Sequence, residues 1–377
     1  MNSDPLVRLL ADLVAIPSVN PMGREGAGPG FLEKEAAGFV AGYLRARGVD
    51  TSVSEVAPGR PNVTGFIDVH AEKTLLLEAH LDTVRAESMS VAPFDPVVRD
   101  GRLYGRGSCD TKGSLASFLH GVCSVLGAGG RLRYNVVILA AADEEYQFTG
   151  AMHAVAHGLK ADFGIVGEPT RLRIVRAHKG VIRWRIVTRG VAAHSAYPER
   201  GENAIYAMGR VLGRLEEYGI ALRRLAPHPL LGSPSLSAGV IEGGEAVNVV
   251  PDRCAVEVDR RTLPGESSRE VLEGAAKALE GVGNWKFEGP HLAVGGMEVA
   301  EGSPVVRLLA GAIGGAGGPV QVEAAQYATD AGVYNGAGIP TVVFGPGDIA
   351  HAHTADEWID CEELHAAAAV VRSLVTS

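Results

Sequence analysis

Acidic and imidazole side chains gather in four short segments of this chain, AHLDT at 79–83, CDTKG at 109–113, DEE at 143–145 and GEP at 167–169. A fifth segment, HAHTADE, lies at 351–357. Apolar runs precede most of them: TLLLEA before His80, YNVVILAAA before Asp143, ADFGIVG before Glu168 and TVVFG before Gly345. Such uninterrupted runs predict strands buried on both faces. In an open α/β sheet, ligands bind beyond the carboxyl ends of the strands. Imidazoles and carboxylates delivered there make a pocket for cations. The mixture suits zinc or cobalt, and manganese less well, whereas an all-oxygen set would suit magnesium or calcium.

Taken singly, each element has a plainer explanation. His80 and Asp82 are two apart beyond a strand, so a carboxylate could orient a metal-binding imidazole. An HxD alone is more often a capping aspartate beside a surface histidine. Asp110 at a helix start reads as an N-cap. It also reads as a carboxylate shared by two cations ~3.5–4 Å apart. Asp143, Glu144 and Glu145 form an acidic turn whose mutual repulsion a cation would relieve. Of two adjacent glutamates, one can bind metal while the other takes a proton from a metal-activated water. Glu168 in GEPT is another strand-end carboxylate, and spacing alone does not choose between His351 and His353. Together, these weak elements point to one two-cation site.

The elements that must position these groups follow from the rest of the chain. Its 377 residues predict two domains. Helices are expected at 4–16 and at 31–47, the latter closed by Gly48, with a Gly/Pro loop at 17–30 between them. A strand is expected at 62–69, and a helix begins after Asp110 and runs to about residue 127. Strand, acidic turn and helix then alternate through 168, a βαβ pattern. From about 175 the strands alternate polar and apolar residues, as in a sheet with one solvated face. This β-α-β-β-α segment contributes none of the cation-type side chains and reads as an inserted lid or dimerisation domain. The expected boundaries are 1–175 and 289–377 for the catalytic domain and 176–288 for the lid.

Hydrophobic residues make up 46% and charged residues 21%, a globular balance. The net charge of −9 argues against nucleic acid or an anionic membrane as partner. No apolar run approaches the ~20 residues of a membrane span, and the N-terminal stretch lacks the basic region of a signal peptide. Four scattered cysteines without a CxxC pair fit reduced thiols, so a cytoplasmic location is expected. Cys109, beside Asp110, is expected to fill space rather than bind metal.

In this order and context, the motifs resemble the co-catalytic metallopeptidase family of acetylornithine deacetylase, succinyl-diaminopimelate desuccinylase, aminoacylase and carboxypeptidase G. The resemblance covers nearly the whole chain. It implies an α/β, mixed-sheet zinc-peptidase-like catalytic domain with an inserted α+β, ferredoxin-like lid through which a homodimer forms. By motif position it implies His80, Asp110, Glu145, Glu168 and His353 as ligands of two divalent ions, with Asp110 shared. His80 and Glu168 would hold one ion, and Glu145 and His353 the other. Asp82 would orient His80, and Glu144 would be the general base. His194 in GVAAHSAYP resembles the family histidine that enters the partner subunit's site. Asn248 in AVNVVPD and Arg261 in DRRTLP would hold a substrate carboxylate, with Thr329 and Asp330 in a substrate-side turn.

Two residues depart from the family pattern: Arg85 stands where many relatives carry proline, and His178 has no counterpart role. The reaction implied is hydrolysis of the amide bond of an N-acyl amino acid or similar small substrate. A carboxypeptidase or dipeptidase on the same site, or a non-catalytic ligand-binding member, are the alternatives. Retention of both the base and all five ligand types speaks against the last.

Overall fold

Every strand that ends in a chemically active turn is buried on both faces in the computed structural model, which describes residues 4–24, 28 and 30–376. Residues 25–27 and 29 of the Gly/Pro loop, the first three residues of the N-terminal stretch and residue 377 lie outside the described residues. The chain divides into two compact units. The first comprises Met1–Arg176, Val299–Glu323 and Thr329–Ser377, and the second Ala177–Glu298 with Ala324–Ala328.

In the first unit the central strands run in the order Asp50–Ala57, Arg60–Ile67, Asn135–Ala141, Thr74–His80, Phe163–Val166, Thr341–Val343, followed by Ile174–His178, whose last two residues belong to the second unit. The middle four are parallel, with Leu77 opposite both Ile138 and Ile165, and Val342 also opposite Ile165. Arg60–Ile67 joins Asn135–Ala141 antiparallel, so the sheet is mixed. Leu75, Leu76, Leu77, Val136, Ile138 and Leu139 are sealed from solvent. Burial of each such side chain contributes about 1.5–3 kcal/mol. Parallel strands covered on both faces need this continuous apolar run, which is why it was legible. The helices Pro5–Val14 and Cys361–Thr376 pack against the helix Lys112–Gly127.

Local chemistry sets the helix ends. Asp4 caps Pro5–Val14 by accepting from the Leu6 and Val7 amides. Asp110 does not cap the following helix. That helix begins at Lys112 with Thr111 at its cap position and no side-chain cap bond. Asp110 thus lies one residue before the cap position, and its carboxylate is engaged elsewhere.

The second unit carries an antiparallel sheet ordered Ser235–Gly243, Arg253–Thr262, Gly180–Arg189, Trp285–Val294. The helices Ala204–Arg223 and Ser268–Ala278 contribute Met208, Val211, Leu215 and Val271 to a core with Ile182, Trp184, Ile186, Val256 and Val258. A reciprocal Ser267–Glu270 capping box starts the second helix. The boundary expected at residue 288 falls inside Trp285–Val294, which pairs with Gly180–Arg189, and the unit continues to Glu298. The Gly289–Pro290 step and the register shift between Glu288 and Leu292 interrupt the alternation that would have revealed this strand. Among the described residues, no helix is long and apolar enough to cross a membrane.

Candidate metal centre

Parallel strands bring the distant motifs to one edge. His80 ends Thr74–His80 opposite Ala141, which precedes the 143–145 turn, while Glu168 lies two residues beyond Phe163–Val166. His80 Nε2 lies 3.2 Å from Asp110 Oδ1 and 3.9 Å from Glu168 Oε1. The other Asp110 oxygen, Oδ2, is 3.2 Å from His353 Nε2, which is also 3.2 Å from Glu145 Oε1. Two groups therefore share Asp110: His80, Asp110 and Glu168, and Asp110, Glu145 and His353. Within each group one ligand atom per residue falls within 4.8 Å of the others, a spacing that fits a cation at the centre. His351, the alternative histidine, instead lies against the Trp358 ring at a centroid distance of 4.0 Å.

Backbone strain accompanies this convergence. His353 and Asp143 both take positive φ, at 60° and 65°. Such backbone is uncommon outside glycine and costs on the order of 1–2 kcal/mol per residue.

The electrostatics show what the pocket accepts. Burial drives the Glu168 carboxyl well above its ordinary range, and the neighbouring charges of Asp110 and Glu144 push it further. Glu144 and Glu145 are raised chiefly by burial as well. Burial would lower His80, yet its bonds to Asp110 and Asp82 outweigh that and lift it well above the imidazole value. His353 is raised to about 11 by its bonds to Asp110 and Glu145. Asp110 is pushed up by burial, but the bonds from His353 and His80 hold it below the usual carboxylate range. A pocket that holds protons on imidazole so strongly will favour positive charge of any kind, including a divalent cation.

Asp82 does more than the sequence suggested. The His80 Nδ1–H donates to the Asp82 backbone carbonyl at 2.9 Å, with the carboxylate Oδ1 at 3.5 Å. The carboxylate also accepts the amides of Glu144 and Glu145, both at 3.1 Å. One residue thus fixes the first imidazole and the turn that carries the two glutamates. Asn20 bonds Asp82 Oδ2 at 2.8 Å and Asp143 Oδ1 at 2.9 Å. Asp143 faces Arg60 at 2.7 Å and accepts from Thr149 at 2.6 Å. Its repulsion with the neighbouring acids is therefore relieved by a guanidinium, not by a cation in the pocket. Sequence reading missed Asn20 and Arg60, which lie in a loop and at the start of a strand with no local pattern to mark them.

The turn carrying Glu168 is held from two sides. Thr111 Oγ1 donates to the Gly167 carbonyl at 2.6 Å, and the Gly345 amide donates to Thr170 Oγ1 at 3.1 Å. A Cβ added at Gly345 would collide with Ser114 Oγ and with the carbonyl oxygen of Glu168.

The other expected residues belong to neither of these groups. Thr329 is buried in the first unit, where its Oγ1 accepts from the Ala331 amide at 3.1 Å. Asp330 is buried beside Glu78, and burial raises it well above the carboxylate range. In the second unit, exposed His194 pairs in register with Val249, and the Ser195 amide donates to the Asn248 carbonyl at 3.0 Å. His194 and Asn248 are thereby brought together. Arg261 Nε donates to Asp259 Oδ1 at 2.8 Å, while Arg183 bonds Asp259 Oδ2 at 2.9 Å. Arg85, the departure from proline, pairs with Glu87. His178 is sealed from solvent and donates from Nδ1 to the Lys179 carbonyl at 2.9 Å.

The sequence model of the peptidase family M20/M25/M40 matches residues 76–377, which span every residue of both groups. The chain belongs to this family. It is a metal-dependent hydrolase of amide bonds, and the fold is shared by solved M20 members. An acetylornithine deacetylase of Myxococcus xanthus is 36% identical over 353 residues, covering 90% of this chain and 88% of that protein. One from Edwardsiella ictaluri is 30% identical over 371 residues, covering 94% and 93%. The M20 family metallo-carboxypeptidase Sso-CP2 from Sulfolobus solfataricus superposes with a TM-score of 0.80 at 20% identity, covering 98% of each chain. The Bacillus subtilis protein YXEP, described as a dinuclear metal binding peptidase from the M20 family, superposes at 0.67 and 19% identity, covering 98% and 96%.

Proposed function

We propose that this M20 hydrolase removes the acyl group from a small N-acyl amino acid, as its acetylornithine deacetylase relatives are named for doing. The observation that carries the reading is the shared Asp110, whose two oxygens face two separate ligand groups beside the buried Glu144. His80, Asp110 and Glu168 would hold one divalent ion and Asp110, Glu145 and His353 the other, with zinc favoured by the imidazole–carboxylate mixture and cobalt or manganese as substitutes. Bound there, the ions supply positive charge that acidifies water and stabilises an oxyanion.

The chain's own residues do the rest. Glu144 takes a proton from the water that attacks the amide carbonyl and delivers it to the departing nitrogen. Its burial among acids raises its proton affinity, the property a base needs. Asp82, through the Glu144 amide, keeps that carboxylate in place. In the lid (the second unit), Arg261 directs Nε and Nη2 to Asp259. Its remaining N–H groups, with Asn248, are suited to a substrate carboxylate. His194 would steady the oxyanion from the partner's side of a homodimer. Support for that dimer comes from the exposed edge strand Ser235–Gly243, with Val240 and Ile241 each about half exposed and Tyr206 more so. An unpaired edge with apolar side chains favours pairing with a second copy. The cysteines, all free, agree with a cytoplasmic protein.

The test is a panel of N-acetyl and N-succinyl amino acids and dipeptides, assayed with protein reconstituted with zinc or cobalt. An N-acyl amino acid is expected to give a kcat/KM at least tenfold above any dipeptide (on the order of the discrimination one well-filled pocket provides). A dipeptide turned over faster would transfer the assignment to a dipeptidase or carboxypeptidase, the activity carried by the name of the Sulfolobus structure.

A further inference from the structure

Glu357 was singled out only as the last letter of HAHTADE, and the reaction gives it no part. It is nevertheless fully buried, as is its partner Arg106. Oε1 accepts the backbone amides of Cys109 at 2.9 Å and Asp110 at 3.0 Å. Oε2 accepts from Arg106 Nη1 at 2.6 Å. The Glu357 backbone carbonyl accepts the Gly105 amide at 3.0 Å, and Arg106 Nη2 reaches the Thr354 carbonyl at 3.3 Å. The segment that carries His353 is therefore stapled to the segment that carries Asp110.

We propose that Glu357 is a positioning residue that sets the shared Asp110 carboxylate, and with it His353, before any cation arrives. Asp110 must present one oxygen to His80 and the other to His353, each at 3.2 Å, so a small rotation about its backbone would spoil both groups at once. Glu357 fixes that rotation by holding two consecutive amides, those on either side of the Cys109 Cα, the second of which leads directly into Asp110. A buried carboxylate can serve this way only if its charge is compensated, and Arg106 supplies the compensation. Residues that orient metal ligands in this manner are typically worth 10–100-fold in metal affinity. The group containing His353 depends on Glu357 through both segments, and the group containing His80 through Asp110 alone.

The inference rests on the two-cation reading, and its test separates the two. Cobalt titration of wild-type protein, followed by visible absorption, is expected to give two bound ions per chain. In Glu357→Gln the weaker-bound ion is expected to lose about tenfold in affinity, with an altered absorption band. kcat should fall while KM moves less than threefold, because the substrate-holding residues of the lid are untouched. Arg106→Lys, which keeps a cation opposite Glu357, is expected to stay within threefold of wild type in cobalt affinity. A Glu357→Gln protein binding both ions within twofold of wild type, with the same spectrum, overturns the proposal.

Should that variant fail to fold, amide hydrogen exchange on metal-free wild type decides. The Cys109 and Asp110 amides are expected to be protected, and free exchange at both overturns the clamp. Fewer than two cobalt ions on wild type would instead overturn the two-cation reading, while the exchange experiment still reads the clamp.

Discussion

The two ligand groups share a residue but differ in their access to water. His80, Asp110 and Glu168 are all buried. In the other group the Glu145 side chain is largely covered, but half of the His353 side chain is exposed. The closed group is built on strand ends inside the sheet edge. The open one borrows its histidine from a loop 208 residues away from Glu145. Sharing a carboxylate would not make the two proposed cation positions equivalent. The closed position would hold an ion in a low-dielectric setting where electrostatic attraction is strong, and an ion in the open one would compete with solvent.

The most disruptive way to break the comparison is to remove what the groups share. Asp110→Asn is expected to weaken both cations by at least about 100-fold and bring turnover to background, as read by metal analysis after dialysis. Loss of only one ion would mean that Asp110 is not common to both. Next in size, Glu144→Gln should lower kcat by about 10²–10⁴ while two ions per chain remain bound. If metal is lost along with activity, Glu144 is a ligand and not the proton carrier.

Graded chelation sharpens the contrast directly. The open position should empty first, leaving a species with one ion per chain, and its affinity should be about 10–100-fold the weaker. Simultaneous loss of both ions would erase the distinction drawn here.

The smallest effect concerns a control imidazole. His80 and His178 are both sealed from solvent, yet the first is raised and the second lowered to about 4. Burial lowers both. At His80 the bonds to Asp110 and Asp82 reverse it. Because folded His178 takes up its proton at lower pH than the unfolded residue, its burial costs stability as pH falls from about 6.5 towards 4. The loss amounts to roughly 3 kcal/mol at pH 4. A thermal melt series should show this slope, and His178→Gln should flatten it. An unchanged slope would mean that other groups govern acid stability.

The sequence made the strand ends legible because covered parallel strands have a distinctive composition, and the turns that follow them are short. His80, Glu144, Glu145 and Glu168 could be found in this way. The partners of those residues could not. Asn20 reaches Asp82 across 62 positions and Asp143 across 123, while Arg106 meets Glu357 across 251. No local periodicity records contacts of that range. Arg60 opens a strand paired on both sides, and nothing in its local sequence marks its reach to Asp143. Trp285–Val294 was hidden for a different reason, since its glycine–proline step breaks the alternation on which strand recognition rests.

Gly345 contributes no polar side chain to this centre, yet it governs the position of Glu168, a proposed ligand. Ser114 and the main chain of Glu168 have moved into the volume that any other residue there would need. A single extra methyl would act as a wedge, swinging a carboxylate that a bound metal would have to find in one place. Screens for altered ion preference therefore have reason to probe this spot, where bulk alone can retune the centre with its donors all intact.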